Sequence, residues 1–447
     1  MGSLPAGPPL PRFVQAGLML RYWPRFLAAV QARYGDMFTV RVAGIGTIVY
    51  IADRDVIKKI FAGDTAVYHA GEANSVLGGM VGESSVLLLD DELHRDRRRL
   101  MMAPFHRDAV ARQTAVMAQV AADNIAGWPV GVDFPVAPKM SELTLEVILR
   151  TVVGATDTAR LSELRRVMPR VLGMGPWATL AIANPHLQRR RPWRYVQRRI
   201  AEADRLLYAE IADRRADPDL ASRTDVLAML VRSADEDGRH MTDAELRDQL
   251  MTLLAAGHDT TATSLAWALE RLTRHPQILA KAVAAADASA GGDPAGDEYL
   301  DAIAKETLRI RPVVFDVGRV LKAPVELGGY RLPAGIMVAP GIGLVHQDSR
   351  VYDDPDRFDP DRMVGATLSP STWLPFGGGA RRCLGATFAQ TELRVVLREV
   401  LRRVELATTD APGESQRVRH VILEPRSGAM IRVRARRSAA LPSEQQV

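Results

Sequence analysis

One cysteine stands in 447 residues, and it sits in FGGGARRCLG, Phe376 to Gly385, among four glycines and two arginines. A lone cysteine is commonly a small buried hydrophobe, but these neighbours suit no core. The run LGATFAQTELRVVLREVLRRV that follows is amphipathic at helical spacing, so Cys383 stands at or just before a helix N-terminus. Unpaired backbone N–H groups and the positive end of the helix dipole point there, and Arg381 and Arg382 add charge. Together these effects are expected to favour a thiolate. Gly377 to Gly379 let the backbone turn sharply and approach something flat or large.

A cysteine nucleophile would need a partnered histidine, which a single sequence does not assign. A phosphate loop would need Gly-x-x-x-x-Gly-Lys-Ser/Thr, which is absent. A metal is the other option, and a single thiolate suffices for haem iron.

Three further constellations hold chemically capable residues. In AGHDTT, Ala256 to Thr261, Asp259 falls within a long apolar helical pattern, where a carboxylate is costly without work or a partner. Thr260 beside it can bond back to the carbonyl four residues earlier and bend the helix. Alone, that patch reads as a buried salt bridge plus a kink. In KETLR, Glu306 and Arg309 share a helix face at i and i+3; alone, that is a surface ion pair worth little. In HRDRR, His94 and Arg98 share a face at i and i+4; alone, His94 is a solvated helix histidine.

The string Phe376-x-x-Gly379-x-Arg381-x-Cys383-x-Gly385 resembles the haem-binding loop of the cytochrome P-450 superfamily, in its soluble, bacterial type. The other three motifs occur in the order that family has them, and the resemblance runs from about Leu20 to Arg437. It implies a mainly α fold with small β-sheets, with haem b between the long central helix and the cysteine loop. Cys383 would be the iron ligand, and Phe376 and Gly385 would shape the loop around it. Asp259 and Thr260 would be an acid–alcohol pair that passes protons toward dioxygen. His94, Arg98, Arg319 in VGRV and Arg381 would hold the haem propionates, since several cations suit a dianionic cofactor. Glu306 and Arg309 would join Arg362 in a buried structural triad; the family's usual Pro-Glu-Arg-Phe is Pro360-Asp361-Arg362-Met363 here.

The activity implied is insertion of one oxygen atom of O2 into a hydrophobic small molecule of fatty-acid, terpenoid or steroid class. No flavin or iron–sulfur motif is visible, so electrons would come from a separate acidic ferredoxin or flavodoxin-like donor. It would dock on a basic face made by Arg95, Arg99, Arg394, Arg398 and Arg402. By the same resemblance the pocket is walled by Tyr68 to Leu89, Met174 to Leu187, Leu253 to Ala256 and Val313 to Val317, with Met174 to Arg199 as a lid. Two rivals share the fold: a peroxide-driven haem enzyme, which would bypass Asp259 and Thr260, and a non-catalytic haem sensor.

The elements that must position these residues are legible in outline. TDAELRDQLMTLLAAGHDTTATSLAWALERLTRH opens with Thr242 and Glu245 in capping-box spacing and can run to His275, where Pro276 stops it. Ser141 to Ala155 is also helical in pattern. Three stretches read as β: Phe38 to Ala52, Val325 to Pro340 with a hairpin turn at Gly328-Gly329, and His420 to Ala435. The first and last are expected to pair into small sheets. GGDPAGD (Gly291 to Asp297) and DDPDRFDPDR (Asp353 to Arg362) read as loops. The prolines before about residue 20 suggest an extended lead-in, and residues 438–447 a flexible tail. No linker divides the chain, so residues 1–447 read as a single domain.

Composition excludes several classes. Hydrophobic residues are 47% and charged residues 25%, ordinary for a globular chain with a large core. Aromatics are only 6%, and the net charge of +5 comes without a recognition module, which argues against nucleic-acid binding. A single cysteine forbids an intrachain disulfide and fits a reducing, cytoplasmic setting. The apolar stretch Phe13 to Leu20 is too short for a transmembrane anchor.

Overall fold

The computed structural model describes residues 4–155, 157–174, 178, 182 and 185–437. Helices carry most of the chain, and twelve short strands form four small sheets among the described residues. The proposed tail, 438–447, lies outside them, as does part of the proposed lid and pocket wall (175–177, 179–181, 183–184).

The extended lead-in ends earlier than the sequence suggests. Pro11, at φ −55° and ψ 147°, passes directly into a helix at Arg12–Tyr34. Proline has no N–H to lose at a helix entrance, and no further proline interrupts until Pro24. The helix kinks at Tyr22, two residues before Pro24.

Strands β1 (Met37–Val42) and β2 (Gly46–Ile51) form a hairpin. The next strands are β3 (Tyr68–His69), β4 (Asp133–Pro135), β5 (Arg319–Leu321), β6 (Val325–Leu327), β7 (Tyr330–Leu332) and β8 (Met337–Pro340). The last four are β9 (Val404–Leu406), β10 (Gln416–Arg419), β11 (Ile422–Pro425) and β12 (Met430–Arg436). The largest sheet runs β1-β2-β8-β5-β3. The first β stretch of the sequence therefore joins the middle one, and the last is divided between the β10-β11 pair and a separate sheet, β4-β12-β9. The apolar faces explain this: Val49 and Ile51 of β2 share a buried cluster with Val338 of β8. Gly328 and Gly329, both at positive φ, turn the β6–β7 hairpin as the sequence indicates.

The central helix spans Asp243–Thr273, 31 residues, or about 46 Å. Its capping box is complete: Thr242 caps the Glu245 N–H, and the Glu245 carboxylate returns to the Thr242 N–H. Every residue from Thr261 to Thr273 is buried, as expected of a helix packed on all sides. It lies against helices Ala137–Ile148, Pro294–Ile310 and Ala386–Arg403. The stretch from Ser141 forms the first of these and ends in one π turn, Leu149–Val153, closed by left-handed Gly154. GGDPAGD is a loop only as far as Asp293. That residue caps the Ala295 N–H, and Pro294 opens a helix to Ile310.

Candidate functional site

The cysteine loop is fixed from both ends. Cys383 N–H donates to the Phe376 carbonyl at 2.9 Å, and the Phe376 ring meets Trp373 edge-on at 5.8 Å. Gly377 and Gly379 both take φ 65°. A Cβ on Gly379 would sit 1.9 Å from the Phe61 carbonyl oxygen, and one on Gly378 2.3 Å from its ring. Gly378 and Gly379 are therefore demanded by close packing on helix Arg54–Ala62, and Gly377 by its positive φ.

Cys383 lies three residues before helix Ala386–Arg403, whose N-cap is Gly385. Burial raises its thiol above the ordinary value, while the Gly385 N–H and the charges of Arg382 and Arg98 pull it down without prevailing. The thiolate expected from sequence is thus not secured by this setting alone. One expected contributor, Arg381, is committed elsewhere. Such a thiol becomes a thiolate when a metal ion takes the proton's place. Its surface is nonetheless open to a solvent-sized probe. Both facts hold for a sulfur that faces an enclosed space. Ala256, the one exposed residue of the central helix beyond its first turn, gives the same indication.

Three arginines and a neutral histidine gather near that space. His94 and Arg98 stand on helix Asp91–Met102, Arg319 begins β5, and Arg381 comes from the cysteine loop. Among the described residues, only Asp90 forms an ion pair with them; it accepts from Arg381 and from the Gly71 N–H. His94 is 2% exposed with Nδ1 unbonded. Its pKa falls to about 3, chiefly through burial, with Arg381 and Arg98 adding to the fall. Arg319 is 6% exposed, and its one side-chain hydrogen bond goes to the Gly318 carbonyl at 2.8 Å. Burial and Arg381 lower it to about 10. A buried surplus of positive charge is costly unless an anion completes it. Haem carries two carboxylates and an iron that accepts a thiolate, so the residues present fit it.

The remaining two motifs each find partners. Thr260 Oγ1 donates to the Ala256 carbonyl at 2.6 Å, the back-bond expected from its position. Asp259 has the partner its cost demands: Arg419 of β10 lies 3.0 Å from Oδ1 and His258 Nδ1 3.1 Å. Burial would raise this carboxyl, but His258 and Arg419 outweigh it and hold it at about 2. Arg419 also meets Glu424 at 2.6 Å. Glu306 and Arg309, both 0% exposed, form a two-pronged pair at 2.7 and 2.8 Å. Arg362 Nε reaches Glu306 at 3.3 Å, and Arg309 also donates to the carbonyls of His346, Pro355 and Arg357. Their burial contrasts with the surface pair that KETLR suggests in isolation.

Two residues escaped the sequence. Asp90 carries a signal, since LDDELH is a helix entrance, but nothing there announces Arg381 as its partner. Arg419 gives none; it lies 160 residues from Asp259.

The sequence profile of the family described as Cytochrome P450 matches residues 5–432. A relative provisionally named cytochrome P450 135B1, from Mycobacterium tuberculosis, is 70% identical over 442 residues, covering 99% of this chain and 94% of that one. The provisionally named cytochrome P450 135A1 of the same species is 41% identical over 433 residues, covering 96% and 95%. Among solved structures, the retinoic-acid-bound cyanobacterial CYP120A1 superposes with a TM-score of 0.82 at 22% identity, covering 96% of this chain and 99% of that one. The cytochrome P450DA heme domain gives 0.81 at 23%, covering 98% and 99%. At those identities the likeness concerns the fold.

Proposed function

This chain belongs to the cytochrome P450 family, as a haem monooxygenase carrying haem b, and we propose how its own residues serve that chemistry. Cys383 is the iron ligand, and His94, Arg98, Arg319 and Arg381 hold the propionates. The observation that carries this reading is the surplus of positive charge on Arg98, Arg319 and Arg381, which act on one another and, through Arg98, on the sole thiol. When bound, the haem supplies the activation of dioxygen and the transfer of one oxygen atom to substrate.

The chain supplies position and protons. Gly385 N–H points at the Cys383 sulfur and moderates its electron density. Asp259, held ionised by Arg419 and His258, exchanges protons with solvent, and Thr260, back-bonded to the Ala256 carbonyl, carries them inward. To reach Thr260, the Asp259 carboxylate leaves Arg419, so the β10–β11 hairpin governs how often the pair is aligned. Leu253, Ala256, Val313 and Val317 offer apolar contact, and the substrate is a hydrophobic molecule of the fatty-acid, terpenoid or steroid class.

Electrons arrive from a ferredoxin or flavodoxin-like protein. Much of the basic face read from sequence is internally paired: Arg394 with Asp301 at 3.0 Å, Arg398 with Glu399 at 3.4 Å, and Arg95 with Glu92 at 3.1 Å. Exposed Arg382 has no carboxylate partner among the described residues and adds to the acidic donor's attraction. Reversing charge at Arg95 and Arg398 should slow reduction at low salt. Unchanged reduction by every such donor would remove this docking face.

The deciding experiment is the spectrum of the reduced, carbon-monoxide-bound protein beside that of Cys383→Ala. A strongly red-shifted Soret band in the parent, lost in the variant, is expected. A haem band without that shift, or one indifferent to the substitution, would overturn Cys383 as ligand.

A further inference from the structure

Phe13 and Leu20, at 72% and 74% exposed, are the most exposed large hydrophobic side chains among the described residues. They are seven residues apart on helix Arg12–Tyr34, with exposed Gly17 between them, so they share one face. Leu10, 40% exposed, precedes the helix, and Tyr22, 47% exposed, marks its kink. Ile45, 64% exposed, tips the β1–β2 turn, and the turn's Ala43 N–H donates to the Arg12 carbonyl at 3.4 Å. Single exposed hydrophobics are ordinary, but a gathered patch marks a contact surface.

The charge around this patch has one sign. Residues 1–35 contain four arginines, Arg12, Arg21, Arg25 and Arg33, and no aspartate or glutamate. All four are exposed, and none forms an ion pair among the described residues. Comparably exposed arginines elsewhere, such as Arg95, Arg99 and Arg205, do find carboxylates. Behind the patch the helix is anchored by buried Gln15, whose side chain accepts from the Arg41 N–H at 2.9 Å and donates to the Leu10 carbonyl at 2.7 Å, and beyond the kink at Tyr22 by Leu27 and Val30, buried with β1 and β2. The apolar side chains are therefore held outward on a fixed frame.

We propose that this helix face and the β1–β2 turn dock on the surface of an anionic lipid bilayer. Apolar side chains flanked by unpaired arginines suit the boundary between acyl chains and negative headgroups. No described helix is long and apolar enough to cross a membrane, so the chain lies on the surface. The surface is independent of the catalytic assignments.

The test is flotation of the full, haem-loaded chain with vesicles of phosphatidylcholine alone or mixed with phosphatidylglycerol. The parent floats with the anionic vesicles, and F13D/L20D weakens binding at least about tenfold with an unchanged haem spectrum. R12Q/R21Q/R25Q weakens it about a hundredfold at low salt. Absence of flotation with anionic vesicles, or equal flotation by F13D/L20D, overturns the proposal. So does self-association of the parent that F13D/L20D abolishes without any vesicle binding, since the patch then belongs to a second copy of this chain.

Discussion

Two groups of buried charge lie within this chain and are built on opposite principles. Around Glu306, Arg309 and Arg362, carboxylate and guanidinium groups meet in fixed geometry, and backbone carbonyls take the remaining donors. Around neutral His94, the three guanidinium groups of Arg98, Arg319 and Arg381 outnumber Asp90, the one carboxylate paired with them among the described residues. The first cluster is closed and supports the fold. The second is open, and its imbalance is what a dianionic ligand would remove. Buried charge alone therefore does not mark a binding site; buried charge that its neighbours leave unbalanced does.

The largest effect should come from opening the closed cluster. Arg309→Met leaves the Glu306 carboxylate fully buried with only Arg362 beside it, at a cost of about 3–5 kcal/mol. A domain has about 5–15 kcal/mol in total, so little folded protein should survive, and urea unfolding would show it. An unshifted midpoint would erase the contrast.

Arg319→Gln should act in the reverse sense. Haem affinity, by titration of the apoprotein, should fall about ten- to a hundredfold through loss of a charged hydrogen bond. The apoprotein itself should be no less stable, because a buried unpaired charge has gone. Loss of apoprotein stability without loss of haem affinity would move Arg319 into the structural group.

A pH effect of smaller size sharpens the same distinction. His94 titrates at about 3 in the fold against an ordinary 6.5, so the folded residue stays neutral where the unfolded one takes a proton. Its contribution is complete above about pH 6.5 and is lost as pH falls toward 3, at up to about 1.4 kcal/mol per pH unit. The apoprotein of His94→Gln should show a flatter decline across that window. His346, also held at about 3, remains in both proteins and cancels in the comparison.

The smallest effect serves as the baseline. Lys281 meets Asp361 at 2.7 Å, but both side chains are more than half exposed. Lys281→Ala should change the unfolding midpoint by less than about 1 kcal/mol.

Local spacing was the legible part of this molecule. The capping box at Thr242 and Glu245, the Gly328-Gly329 hairpin and the back-bond of Thr260 each depend on residues within a few positions of one another, and each is present. What local pattern could not convey was partnership across the chain. β2 found β8, Asp259 found Arg419, and Gly379 found Phe61, all separated by more than a hundred residues. The helix beginning at Pro294 was hidden by a glycine- and proline-rich entrance that resembles a loop.

By itself the sequence determined which residues are chemically capable and on which kind of element each stands, because helical period, capping and turn geometry act over one or two turns of chain. Tertiary structure alone decided their electrostatic state. It raised the Cys383 thiol that nearby arginines were expected to lower, turned Arg381 onto Asp90, and left Arg319 without an ion-pair partner among the described residues. Ionisation depends on how much water is excluded and which charges remain nearby, and both follow only after distant segments have packed.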